Sequence, residues 1–290
     1  MSEFIIVTDS CADLPAAMVE QLGVTVLPLM FNMDGKDYHN YPDNREMDPK
    51  QFYDLLRQGK MATTSAVNVG QYTEVLEPML AGGKDVLVMA FSSGLSTTYN
   101  SAVIAAEELG EKYPERKVRV VDTLCASLGQ GMFVWLAAQK QAQGWDVEQV
   151  YRWAEDNKQS ICHQFTVNDL FHLKRGGRVS AATAVVGTML AIKPVLHVDE
   201  EGHLINIAKA RGRAASVKAL LDKMEKTVIQ PEGQTIFISH GDCLEDAEKL
   251  ADMIRGKWAV ADVIINHVGP VIGAHSGPGT LALFYVGSER

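Results

Sequence analysis

A chain of 290 residues exceeds the usual single-domain size, and 47% hydrophobic with 22% charged residues is the composition of a soluble globular protein, so two domains are expected. The 36 acidic against 27 basic residues leave a net charge of -9 and no dense basic face, which argues against a nucleic-acid partner. Cys11, Cys125, Cys162 and Cys243 form no C-x-x-C pair and no apolar run reaches the ~20 residues of a bilayer span, so neither a zinc or disulfide framework nor a transmembrane segment is expected, and the setting should be reducing and cytoplasmic.

In the first half, short Val- and Ile-rich runs alternate with segments of helical period, the pattern of a parallel sheet flanked by helices. Strands are predicted at Phe4–Thr8, Thr25–Phe31, Asp85–Ala90 and Lys117–Val121, and helices at Asp13–Leu22, Pro49–Leu56, Gly70–Leu80 and Ser96–Leu109. Helices follow at Ser127–Gln143 and Val147–Gln159. Beyond them, Lys193–Val198 and His203–Ala208 flank the turn Asp199–Gly202 and predict a hairpin, hence antiparallel pairing. Strands at Thr235–His240, Asp262–His267 and Thr280–Val286 and helices at Arg213–Thr227 and Cys243–Arg255 complete the chain. The fold class is α/β: a parallel-sheet domain over 1–160 and a mostly antiparallel α/β domain over 161–290, with a ligand tunnel between or beside them. No linker composition marks the boundary.

Three predicted strands end in polar turns: Thr8-Asp9-Ser10, Ser92-Ser93-Gly94-Leu95-Ser96 and Asp122-Thr123. In open α/β sheets such ends meet at a crevice, where hydroxyls and helix N-termini suit an anion. Taken singly, Ser10 and Ser96 read more readily as helix N-caps, the role their residue type favours. The cluster Thr63-Thr64-Ser65 either caps the helix near Gly70 or adds donors to the same crevice. In the second domain, Leu173–Ser180 and Ile272–Gly279 are glycine-rich turns able to wrap a ligand. Lys174 and Arg175 read as complements of a helix dipole, His275 as a ligand contact or a satisfied imidazole, and Arg211 as a carboxylate partner or a solvated cation. The pair Gly129 and Gly131 is no dinucleotide fingerprint, since Val134 stands at the third glycine, and loops for ATP, a nucleophile elbow and a zinc helix are absent.

The runs TDSCADLP (8–15), FSSGLSTTYNSA (91–102), DTLCASLGQG (122–131), LKRGGRVS (173–180), AIKPVL (191–196) and GAHSGPG (273–279) together resemble the DegV family from end to end. The resemblance implies a fatty-acid-binding protein that encloses the acyl chain and presents its carboxylate to a separate ATP-dependent fatty acid kinase subunit, itself transferring no phosphoryl group and needing no cofactor or metal. By position it assigns the carboxylate to Ser93, Thr64 and His275, with Ser65, Ser92 and Gly277 as neighbours, and makes Arg211 a partner or phosphoryl-transfer contact. Transient membrane contact is compatible with this reading. Thr97 stands where the family usually has Gly, and TSAVN at 64–68 replaces the common TSQPS. Burying about fifteen methylenes at ~0.8 kcal/mol each offers on the order of 12 kcal/mol before association costs; the segment Ala184–Ile192, apolar on more than one helical face, reads as an ordinary buried helix or as part of the lining. Two other readings remain: an acyl hydrolase or transferase using Ser93 with His275 as base, and a lipid-sensing regulator.

Overall fold

The computed structural model describes residues 3–168, 170–180 and 192–290, and three sheets organise them. The first is four-stranded and wholly parallel, in the spatial order Thr25–Leu27, Phe4–Asp9, Asp85–Ala90, Val118–Asp122. Every residue of Asp85–Ala90 is buried, as a central strand covered on both faces requires. The predicted strands of this sheet hold to within a residue, apart from Thr25–Phe31, which divides. Thr25–Leu27 pairs in the parallel sheet, and Met30–Met33 opens a separate three-stranded antiparallel sheet with Lys36–His39 and Ala62–Ser65. Pro28 lies at the division; without an N–H it cannot extend the ladder. Asp34 and Gly35, with φ of 55° and 85°, close the Met33–Lys36 hairpin in the turn geometry that Asp-Gly favours.

The third sheet is six-stranded, in the order Leu204–Arg211, Ile192–Val198, Ile161–Thr166, Leu281–Val286, Thr235–His240, Asp262–His267. All its neighbours are antiparallel except the last pair. The expected hairpin around Asp199–Gly202 is present, with a bulge between Asn206 and Ala208. Ile161–Thr166 is a strand that periodicity does not announce: all of ICHQFT is buried, so polar and apolar residues share both faces. The described mixture of a parallel sheet and a mostly antiparallel one is the α/β architecture expected.

Helix Leu128–Ala142 lies between the two large sheets and contacts both. It is apolar on more than one face, so one core cluster runs from Phe4, Ile6 and Leu87 through Met132 and Phe133 to Phe165, Phe237 and Phe284. Polar ties reinforce the junction. The Tyr53 hydroxyl donates to the Val268 carbonyl at 2.7 Å, and the buried Ser92 hydroxyl donates to the Gly202 carbonyl at 2.9 Å. Gly202 has a φ of 81°, and a Cβ there would overlap the Ser92 hydroxyl, so the hairpin tip seats on the first lobe only because this residue is glycine. Gly202→Ala should therefore lose about 2–4 kcal/mol in denaturant unfolding, from the left-handed backbone and the overpacking together. Adding Ser92→Ala, which removes the struck oxygen, should return part of that loss; strictly additive effects would show that the two residues do not meet.

Candidate functional site

A cavity of about 440 Å³ opens at the carboxyl ends of the parallel strands and extends over the six-stranded sheet. Most of its surface is apolar, with Leu29, Phe91, Leu95, Phe165, Val271 and Phe284 among the lining residues. One end is polar. Thr64, at the end of strand Ala62–Ser65, meets His275 of helix Pro270–Ser276, with Thr64 Oγ1 2.8 Å from His275 Nε2. Ser65 and Ser93 are exposed and line the same cavity. The Ser93 backbone N–H donates to Asp122 Oδ1 at 3.2 Å, which fixes the turn that carries its hydroxyl.

His275 Nδ1 is buried and has no partner among the described residues. Desolvation, with lesser help from the positive Arg178 and Arg175, pushes its pKa down to about 4. The ring is therefore neutral at pH 7 and presents hydrogen-bonding capacity without charge. Gly176 packs against it so closely that any Cβ would collide with Nδ1.

The charge at this end comes from Arg178, which sequence reasoning quoted within LKRGGRVS but did not select. Its Nε and Nη2 donate to the Leu95 carbonyl at 3.3 and 3.1 Å, and Nη1 donates to the Gly176 carbonyl. No acidic partner exists for it among the described residues. Desolvation lowers its pKa, yet a guanidinium stays protonated. A half-buried cation held by carbonyls beside an apolar cavity has the charge and remaining N–H donors to suit an anion. Its signal in the sequence was a lone arginine directly after two glycines.

The other expected residues have different places. Ser92 is fully buried, its hydroxyl engaged with Gly202 and with the Gly94 N–H, and it does not line the cavity. Gly277, at φ 79°, ends helix Pro270–Ser276, and its carbonyl accepts from the Thr280 hydroxyl at 2.8 Å. Arg211 is exposed at the end of an edge strand. Ser10 caps no helix: its hydroxyl accepts the Leu29 N–H, and Asp9 caps the following turn through the Cys11 N–H. Ser96 accepts the Thr98 N–H ahead of helix Thr98–Lys112. The segment Ala184–Ile192 lies outside the described residues except for Ile192.

A second polar group, unforeseen from sequence, lies in the cavity wall. Ser127 Oγ is 2.5 Å from Asp13 Oδ2 and 2.8 Å from Ser239 Oγ, while the Gly269 N–H donates to Asp13 Oδ1 at 3.0 Å. Asp13 and Ser127 adopt φ of 50° and 54°, values a side chain rarely accepts without compensation. Burial pushes Asp13 up to about 8 against the downward pull of its hydrogen bonds, and burial likewise raises Asp9 to about 6.

In a two-lobed α/β shell, an apolar cavity with a hydroxyl-, imidazole- and guanidinium-lined mouth has the chemistry to suit an amphiphile. The chain matches the family profile described as "Uncharacterised protein, DegV family" over residues 3–288, and it belongs to the DegV family. It is 49% identical over 290 residues to a DegV domain-containing protein of Clostridium perfringens, covering 100% of this chain and 99% of the relative. Its fold is similar to that of a DegV family protein from Thermus thermophilus whose solved structure is described as fatty acid binding, at TM-score 0.87, 32% identity, and coverage of 99% of this chain and 100% of that one. It is likewise similar to a DegV lipid binding protein from Thermotoga maritima, at TM-score 0.83, 31% identity and 99% coverage of both chains.

The buried carboxyls make stability depend on pH in a defined direction. A carboxyl whose pKa is higher in the folded state holds its proton there, so its contribution is complete below the ordinary value of 3.8 and is lost as pH rises towards about 8 for Asp13 and about 6 for Asp9. Unfolding free energy should fall between about pH 4 and 8, and Asp13→Asn should flatten the part of that fall above about pH 6. Denaturant titrations across this range check it, and an unaltered slope in the variant would remove Asp13 as the source.

Proposed function

We propose that this chain binds one long-chain fatty acid, its tail in the apolar cavity and its carboxylate at Thr64, Ser93, His275 and Arg178. The observation that carries the reading is Arg178, a cation without an acidic partner among the described residues, set at the polar end of an otherwise apolar cavity. The descriptions of the Thermus and Thermotoga relatives as fatty-acid- and lipid-binding support the same ligand class. The tail supplies affinity at ~0.8 kcal/mol per buried methylene, and the head supplies orientation through charge-assisted hydrogen bonds of about 1.5–3 kcal/mol.

In this reading the protein is a carrier. The exposed position of Ser93 keeps the carboxylate at the surface, where a separate ATP-dependent kinase subunit phosphorylates it, and exposed Arg211 serves that partner. The division of the chain into lobes near residue 160, and a cytoplasmic location beside such a kinase, belong to the same proposal. Hydrolysis by Ser93 gains no support, because His275 Nε2 is engaged with Thr64.

Organic extraction of protein made in lipid-replete cells should release about one acyl chain per molecule by mass spectrometry; recovery of none defeats the reading. The delipidated protein should prefer a fatty acid to the matching fatty alcohol, and Arg178→Met should reduce that preference about ten- to hundredfold. An equal preference in both proteins would remove Arg178 from the head-group site. With the kinase subunit supplied, Arg211→Ala should lower acyl-phosphate formation tenfold or more, on the order of the loss expected for a charged contact, while fatty acid affinity is retained. A normal rate would show that Arg211 does not serve the partner.

A further inference from the structure

The face that the six-stranded sheet turns to the cavity is apolar except at two positions. Its register sets Ser239, Ala282 and Phe165 in one row and Phe284 and His163 in the next, and all five line the cavity. His163 has nothing left to offer a ligand but its ring. Its Nδ1 lies 2.9 Å from the Ile161 carbonyl, and Nε2 accepts the Ala126 N–H at 3.2 Å, so the donor and the acceptor of a neutral imidazole are both engaged.

Ser239 differs. Its only side-chain partner among the described residues is Ser127 Oγ, the middle member of the chain Asp13–Ser127–Ser239. Two proton orders satisfy that chain. With a proton on Asp13, the hydrogen bonds run outward, and Ser239 is left with its own O–H to donate. With Asp13 ionised, they run inward, and Ser239 is left with lone pairs to accept. In both orders one hydrogen-bonding function remains beside the cavity.

Ser276 provides an independent observation. It lines the same cavity, is only 6% exposed, and its Oγ has no partner among the described residues. Buried hydroxyls are ordinarily met, and neighbouring Thr280 is, by the Gly277 carbonyl. The turn from Ser276 to Thr280 is joined to the end of strand Thr235–His240: the Gly241 N–H donates to the Thr280 carbonyl and the Gly279 N–H to the Gly241 carbonyl, each at 2.7 Å. Both serines therefore belong to one end of the sheet face.

We infer that the cavity selects a long-chain fatty acid carrying a hydroxyl group along its chain, with Ser239 and Ser276 as the partners of that hydroxyl. The inference rests on the fatty-acid reading and narrows its substrate class. A hydroxyl both donates and accepts, so it matches Ser239 in either proton order, whereas a keto oxygen matches only one. A plain chain would cover both serines with methylenes and leave their remaining hydrogen-bonding capacity unmet.

The test is calorimetric titration of the delipidated full-length protein with stearic acid and with a set of monohydroxystearic acids differing in hydroxyl position. At least one hydroxystearate should bind about tenfold more tightly than stearate, and Ser239→Ala and Ser276→Ala should each lower that ratio by about five- to tenfold. Ser276→Ala breaks no hydrogen bond of the described protein, so its result stands even if Ser239→Ala fails to fold. A lower ratio in one variant alone assigns the contact to that serine. Stearate binding as tightly as every hydroxystearate, or a ratio unchanged in both variants, overturns the inference while the carrier reading stands. Absence of binding by either kind of acid overturns both.

Discussion

The two lobes meet on a buried carboxyl group that has no cation beside it among the described residues. Asp13 accepts the Gly269 N–H through one oxygen and contacts the Ser127 hydroxyl through the other, and its carbonyl accepts from the Asn266 side chain at 2.7 Å. Gly269 and Asn266 belong to the second half of the chain, Ser127 to the turn that enters the helix shared by both sheets. Neutral donors thus do the work a counter-ion would do elsewhere, and the consequence is a carboxyl that keeps its proton near neutrality. The left-handed backbone at Asp13 and Ser127 is tolerable because these bonds over-determine it. Ser127 is also a wall of the cavity, so the tie between the lobes and the shape of the binding space are set by the same atoms.

From that constraint the cavity divides into regions with different tasks. At the mouth, glycine lets backbone and ring approach closely: Gly176 lies against His275, and a Cβ on Gly277 would press into His172. The close packing holds the imidazole out of water, and the resulting desolvation keeps it neutral beside a permanently charged Arg178. A neutral acceptor-donor next to a guanidinium is suited to a carboxylate, because the charge is met once and the remaining lone pairs find hydrogen bonds. Further in, Phe165, Ala282 and Phe284 offer contact area without direction, as a flexible hydrocarbon needs.

Much of this was legible because local chemistry and global fold agree. The short Val-rich apolar run Asp85–Ala90, alternating with segments of helical period, reads as a buried parallel strand, and the acidic-glycine turn at 199–202 marks its hairpin. Thr64, Ser65, Ser93 and His275 do converge on one cavity, which motif position suggested and composition alone would not. The failures have physical causes. Thr25–Phe31 was read through Pro28, although a residue without an N–H ends a ladder. Ile161–Thr166 lacks alternation because its Cys and His are met by hydrogen bonds inside the protein and need no solvent face, and Gln164 is buried beside them with no hydrogen-bond partner for its side chain among the described residues. Arg178 depends on the Leu95 carbonyl 83 positions away, and the Asp13–Ser127–Ser239 chain on contacts across 114 and 112 positions; no local pattern encodes those.

Two unmet polar groups lie at the cavity. Most buried donors and acceptors of a folded chain are paired, and leaving one unpaired costs about 1–3 kcal/mol. In this protein His275 Nδ1 and Ser276 Oγ, on adjacent residues, are both unpaired among the described residues and both belong to cavity-lining side chains. On the cavity-facing side of the sheet beneath them, His163, equally polar and buried, has both nitrogens engaged. Unmet groups also lie away from the cavity, at Tyr72, Gln130, Gln164, Arg213 and Arg290 among the described residues, so an unpaired atom by itself does not mark a site. What distinguishes His275 and Ser276 is that two such groups stand on adjacent residues beside open space, where an entering molecule can supply the missing partners.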